Sequence, residues 1–217
     1  FYPNLCIICN EPFNKSENQI CIYCIQQIPR THYHIQSDNP VEKRFWGKVN
    51  IFRATSFYFF HKGSPFQKLI HELKYKNNKE VGEVMGRLAA IELMESADFT
   101  TVDFVIPIPL HPKKYALRGY NQSECIANGI SAVLKKPVDT SSLVRVMENT
   151  TQTKKSVYER YKNTSGIFEY KQGCIPDNSH LLLVDDVLTT GSTLEAAVEA
   201  LSAIPGVRVS VFTLAVA

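Results

Sequence analysis

Two groups of residues in this 217-residue chain have types and spacings suited to chemistry. The first is the run Leu181-Leu182-Leu183-Val184-Asp185-Asp186-Val187-Leu188-Thr189-Thr190-Gly191-Ser192-Thr193. Its continuous apolar start reads as a strand buried on both faces. The strand delivers two adjacent carboxylates at its C-terminal end, and a short hydroxyl- and glycine-containing loop then opens a helix. Open parallel sheets bind ligands outside the carboxyl ends of their strands. There the loop N–H groups and the positive end of the helix dipole seat an anion, and Thr and Ser hydroxyls add donors. Gly191 lets the backbone approach a phosphate closely. Ser192 with Glu195 matches a capping box, which predicts the helix start. Carboxylates beside a phosphate seat need another partner. The vicinal hydroxyls of a ribose supply one, and a divalent cation can offset the charge that remains. An Asp pair in a solvated turn is the plainer alternative; it accounts for the two acids but not for the whole arrangement. Competing phosphate motifs are absent, because the chain contains neither GxGxxG nor GxxxxGK[ST].

The second group is Cys6-x2-Cys9 and Cys21-x2-Cys24, four of the six cysteines. Each CxxC makes a tight turn with both sulfurs on one side, so two such pairs can surround one tetrahedral Zn²⁺. A closed four-thiolate shell leaves no position open for chemistry, so the zinc is structural. A segment this short cannot bury enough apolar area to fold alone. Two disulfides are the alternative and require an oxidising compartment. The sequence from Phe1 shows neither the charged nor the apolar region of an export signal, which leads us to expect a cytoplasmic protein. His32 and His34 follow the cysteines and would be ligands only in a rearranged site; surface or interface histidines are the simpler reading. Cys125 and Cys174 stand alone.

The elements that must position these groups follow from periodicity. Hydrophobic residues are 44% and charged residues 21%, ordinary for a globular protein able to bury a core. A net charge of +3 does not by itself predict nucleic-acid or membrane binding. No run approaches the roughly 18 apolar residues of a membrane span, so no membrane insertion is expected. The polar stretch from about Ile28 to Lys48 reads as irregular and is the best boundary, dividing a zinc-ribbon-like element (1–45) from the remainder (46–217). Ile51 to Phe60 reads as paired strands. Phe66, Leu69, Ile70 and Leu73, then Val81, Val84, Met85, Leu88 and Ile91, recur at helical spacing, with a basic break at Lys74-Tyr75-Lys76. Val102 to Pro109 is a buried strand running into a proline-rich loop. Ile126, Ile130, Val133 and Leu134 mark a helix, Ser192 to Ile204 another, and Val207 to Ala217 a last strand. Strand, helix and strand in that order predict an α/β fold with a parallel-sheet core and flanking helices.

The segment around Asp185 closely resembles the phosphoribosyl diphosphate (PRPP) motif of type I phosphoribosyltransferases. Arg118-Gly119-Tyr120-Asn121-Gln122 is similar to an element of the ComF/GntX-like proteins within that group. So are Gln152-Thr153, Glu159-Arg160, Asn163, Gly166-Ile167-Phe168, Lys74-Tyr75-Lys76 and the four cysteines. The resemblance covers nearly the whole chain in order. It implies a type I phosphoribosyltransferase fold with a zinc element, residues 46–100 forming a hood and 101–217 the PRPP-binding core. Asp185 and Asp186 would hold the ribose hydroxyls and Thr189, Thr190, Gly191, Ser192 and Thr193 the 5-phosphate. Pro109, Leu110, His111 and Lys113 would lie at the diphosphate, with Arg118 as a further contact and Thr151 to Ser156 as a closing loop.

Charge placement agrees. Lys113, Lys114 and Arg118 give a local +3, as do five basic against two acidic residues between Arg145 and Lys162. A Mg²⁺-dependent transfer of phosphoribosyl to an unidentified nitrogen acceptor is the reaction implied. No general base is evident, since a loop histidine such as His111 is more often structural. Tyr58, Phe59, Phe60 and Tyr75 are read as core rather than as base-stacking residues. Two other functions stay open: a non-catalytic protein sensing a ribose phosphate, and a role in DNA uptake during competence, with single-stranded DNA or competence proteins as partners.

Overall fold

The computed structural model describes residues 5–13, 17–146 and 166–217. In chain order these form α1 (Ile22–Gln26), a 3₁₀ turn (Tyr33–Ile35), α2 (Pro40–Lys43), β1 (Arg53–Phe59), α3 (Gln67–Tyr75) and α4 (Lys79–Leu93). There follow α5 (Ala97–Thr100), β2 (Phe104–Pro107), α6 (Pro112–Arg118), α7 (Gln122–Leu134) and β3 (Leu143–Arg145). The chain closes with β4 (Phe168–Tyr170), β5 (His180–Leu188), α8 (Ser192–Leu201) and β6 (Arg208–Val216).

The apolar run before Asp185 lies in the interior of the sheet. Strand order is β1-β6-β5-β2, and every neighbouring pair is parallel. Because side chains alternate across a strand, Leu182 and Val184 face one core while Leu181 and Leu183 face the other. The first core also holds Leu69, Leu73, Met85, Ile126 and Ile130, from α3, α4 and α7. The second is filled by Leu194, Ala197, Val198 and Leu201 of α8 with Leu143 and Phe168 of the antiparallel β3–β4 ribbon. Both faces of the sheet are covered by helices, as the sequence pattern predicts.

Two expectations need correction. Ile51 to Phe60 does not form paired strands; it yields the single strand β1, whose partner is the last strand, β6. Ala54 to Tyr58 are all buried, a burial that pairing within one local hairpin does not supply. The stretch from Ile28 to Lys48 is not wholly irregular. Asn39 caps α2 by accepting from Val41 and Glu42 N–H, and Val41 and Phe45 are fully buried in the second core. The cysteine element is likewise packed against the rest, since Ile8, Ile20 and Ile28 share the first core with α3 and α4.

Helices α4 and α7 meet backbone to backbone. A Cβ on Gly86 would lie 2.2 Å from the Ile126 carbonyl oxygen, and one on Gly129 2.2 Å from that of Glu83. No side chain fits in either place. Gly86→Ala must therefore push α7 away from α4, and we expect it to cost about 1–3 kcal/mol, the usual range for overpacking. A lowered denaturation midpoint in urea checks this; an unchanged midpoint contradicts it. Among the described residues no helix is long and apolar enough to cross a membrane.

Candidate functional site

The chain turns sharply after β5. Gly191 stands at φ 87°, and this left-handed residue, not Ser192, takes the N-cap position of α8. The expected capping box is therefore absent: no side chain caps α8, and the Glu195 carboxylate binds Lys48 Nζ at 2.7 Å instead. Thr190 Oγ1 and Ser192 Oγ lie 3.1 Å apart beside the turn. Asp185, Val187 and residues Leu188 to Leu194 line one concavity, which places the first acid and the whole hydroxyl loop around a single space. An uncapped helix N-terminus at its floor is an anion seat.

Residues 44–48 brace this loop from outside. Arg44 donates to the carbonyl oxygens of Thr189 (2.7 Å) and Ala217 (3.1 Å), and the Phe45 ring edge comes within 3.8 Å of where a Gly191 Cβ would stand. None of these was a predicted site residue. Their only sequence signal was two basic residues and an aromatic in a stretch otherwise read as a boundary.

The two acids have different surroundings. Asp185 Oδ1 accepts from the Ser123 hydroxyl and from the Asp186 N–H, both at 2.9 Å. Asp186 Oδ1 is ion-paired with Lys74 Nζ at 2.9 Å, while its Oδ2 is buried with no partner among the described residues. The Tyr58 hydroxyl is buried and unpartnered as well. Burial, then the neighbouring Asp186 charge, pushes the Asp185 carboxyl up to about 7, against the pull of the Asp186 N–H, Ser123 and Lys74. Burial and then Asp186 also raise the Tyr58 phenol. Ser123 and Lys74 come from helices far from the motif in sequence, so the motif alone does not reveal them.

The end of β2 lies beside that of β5: the Ile108 N–H donates to the Val184 carbonyl at 2.9 Å. Pro109, Leu110 and His111 therefore leave the sheet next to the acid pair. His111 Nδ1 accepts from the Lys113 N–H at 3.1 Å and caps α6, which fits the structural reading of this histidine. Lys113 itself is exposed. Arg118 donates to Gln122 Oε1 at 2.9 Å, and its guanidinium lies 5.8 Å from the centroid of the Tyr75 ring. Asn121 joins these parts, donating to the Ile108 carbonyl at 3.0 Å and accepting from the Ser123 N–H at 3.1 Å. Arg118 contacts neither acid among the described residues; its partner Gln122 precedes Ser123, which donates to Asp185. Of the aromatics expected in the core, Tyr58 is fully buried, but Tyr75 is 69% exposed because α3 ends there and only Leu69, Ile70 and Leu73 of that helix are buried. Thr151 to Ser156, like most of the basic run that begins at Arg145, lies outside the described residues.

The four sulfurs of Cys6, Cys9, Cys21 and Cys24 all lie within 4.8 Å of one another, and all six cysteines are free thiols. Cys9 and Cys21 Sγ are 3.7 Å apart. Tetrahedral Zn–S bonds of about 2.3 Å put neighbouring sulfurs about 3.8 Å apart, so the cluster can hold a zinc ion. Burial opposes ionisation of Cys6, but N–H groups of Cys21, Cys9 and Ile8 aimed at its sulfur outweigh it and lower the thiol to about 7. His34 is not part of the cluster; its ring nitrogens face Glu95 (3.5 Å) and Glu92 (3.9 Å).

Residues 120–215 match the phosphoribosyl transferase domain family. DNA utilization protein YhgH of Escherichia coli K12 is 26% identical over 209 residues, covering 88% of each chain. Competence protein F of Haemophilus influenzae is 26% identical over 213 residues, covering 89% of each. Adenine phosphoribosyltransferase from Leishmania donovani overlays 83% of this chain and 81% of its own, with a TM-score of 0.41 and 12% identity. At that score the overlay carries no argument, and the fold stands on the sheet order and the domain match.

Proposed function

We propose that this chain, whose residues 120–215 match the phosphoribosyl transferase domain and which resembles DNA utilization protein YhgH and Competence protein F along most of its length, is a ComF-like protein that binds PRPP and transfers the phosphoribosyl group to a nitrogen acceptor. One observation supports this above the rest: an acid pair and a hydroxyl-rich loop share one strand–turn–helix unit, with Asp185 and the loop around a single concavity. The N–H groups of Thr189 to Thr193 and the α8 dipole would bind the 5-phosphate. Asp185 and Asp186 would accept from the ribose hydroxyls, which fixes the sugar ring while C1 reacts. The bond from C1 to the diphosphate oxygen breaks, with the electron pair leaving on diphosphate. The acceptor nitrogen bonds to C1 and releases its proton.

The described residues contain no cluster of three or more metal-ligating groups apart from the cysteines. Mg²⁺ bound with the substrate would offset charge on the leaving diphosphate. Arg118, freed from Gln122 and Tyr75, together with Lys113 beyond the Pro109–His111 loop, would face that diphosphate. The cysteine element, holding Zn²⁺, would brace α3 and α4 and take no part in the reaction.

Release of diphosphate in the presence of Mg²⁺ and a panel of amine and base acceptors tests the transfer step. Acceptor-dependent release supports it. PRPP binding with no release from any acceptor favours a protein that senses the ribose phosphate. The names of the relatives and the exposed basic helix α6, with Lys113, Lys114 and Tyr115 all at the surface, favour single-stranded DNA as a second ligand. A salt titration decides that reading: binding that weakens as salt rises supports it, and none at low salt removes it.

A further inference from the structure

Lys74 lies outside the strand–turn–helix unit, yet among the described residues it provides the only ion pair to the two carboxylates. Its position is set by packing. Leu69, Ile70 and Leu73 bury one face of α3, and the Tyr120 hydroxyl donates to the Leu73 carbonyl, fastening the end of α3 to the start of α7. The next residue, Tyr75, lies under the Arg118 guanidinium. Lys74 is thus held with its ammonium on Asp186 Oδ1, and Oδ2 has no partner among the described residues.

Two adjacent carboxylates resist joint ionisation, and a ribose offers only neutral hydroxyls, so the charge that keeps the acids ionised must come from elsewhere. From the packed elements the groups facing the pair are Lys74 of α3, Arg145 of β3, the neutral phenol of Tyr58 in β1 and the Ser123 hydroxyl of α7. Among the described residues only Lys74 is in contact as a cation. We propose that Lys74 is the resident counter-cation of the Asp185–Asp186 pair, a positioning residue that holds Asp186 by Oδ1 and leaves Oδ2 to accept from a ribose hydroxyl without a divalent cation at the carboxylates. This rests on reading the site as one for a ribose phosphate. The ribose half of the substrate would then need no divalent cation of its own.

Ribose 5-phosphate, which lacks the diphosphate, separates the two halves. We expect the native protein to bind it equally well with and without Mg²⁺. Lys74→Met should weaken that binding at neutral pH and move its pH midpoint up by about 1–3 pH units, the effect of losing an opposite charge at contact distance. Lys74→Arg should restore both. A folded Lys74→Met protein with native affinity and an unchanged pH profile overturns the proposal, as does native binding that requires Mg²⁺. A second measurement is independent of any ligand. Carboxyl NMR of the free protein should show the Asp185 titration moved upward in Lys74→Met, since the Lys74 charge opposes its rise, and an unmoved titration overturns the proposal. If the native protein binds neither ribose 5-phosphate nor PRPP, the ribose-phosphate reading fails, and the NMR titration still decides the role of Lys74.

Discussion

Replacing Asp185 and Asp186 together by Asn is expected to weaken PRPP binding by about 10²–10⁴-fold while leaving the protein folded. Each carboxylate would accept a charge-assisted hydrogen bond from the ribose, and such bonds contribute roughly 1.5–3 kcal/mol apiece. Asparagine keeps the shape but loses the charge and presents a competing donor. The fold should tolerate the change, because Asn keeps the side-chain shape and an ionised Asp185 is costly to it. Burial and the Asp186 charge hold Asp185 protonated to a higher pH in the folded chain than in an unfolded one. A carboxyl raised in this way contributes stability that is complete below its unfolded value of about 4 and is lost as pH rises through about 7. Asp185→Asn alone should flatten that loss, so that the variant gains on the native protein in thermal denaturation as pH rises through this range. Native-like affinity in the double Asn variant would mean that the ribose is held elsewhere.

Removing the metal from the four cysteines should have the largest effect on the fold. We expect native protein to carry one zinc per chain, and Cys24→Ser or a strong chelator to lower the melting temperature sharply. Structural zinc in small elements carries about 10–16 kcal/mol of binding free energy, nearly all of which becomes folding free energy. Here the loss would not stay local. Cys6, Cys21, Cys24, Ile8, Ile20 and Ile28 are part of the core that also contains Leu73 and Met85, so disorder in the element exposes α3 and α4. Burial raises the thiols of Cys21 and Cys24, so metal binding must displace protons and should weaken as pH falls. Metal analysis checks this directly, and a content well below one zinc per chain contradicts it.

The course of the sheet was readable in the sequence wherever a residue run carried its own pattern. Leu181 to Val184 could only be a strand covered on both faces, and the acids and loop that follow could only leave its carboxyl end. The four cysteines carried their arrangement in their spacing. Other features depended on contacts between distant segments, and there the pattern failed. β1 looked like half of a hairpin because nothing nearby in sequence reveals that its partner is β6. The Ser192–Glu195 pair satisfied a capping rule that the left-handed turn at Gly191 overrides, and Glu195 went to Lys48 instead. Arg44, Phe45 and Lys48 support the loop from a stretch whose polar composition suggested a boundary. The acid pair was visible at once, but its contacts with Lys74 and Ser123 were not, since both residues lie far away in sequence and only the packing of α3 and α7 brings them to the acids.

Titration calorimetry of the native protein with PRPP and Mg²⁺ tests the central claim most directly. The arrangement of Asp185, Asp186 and the Thr189–Thr193 loop predicts saturable binding of one PRPP per chain, lost in the double Asn variant. No heat of binding from folded, zinc-loaded protein would contradict the assignment of this site to a ribose phosphate.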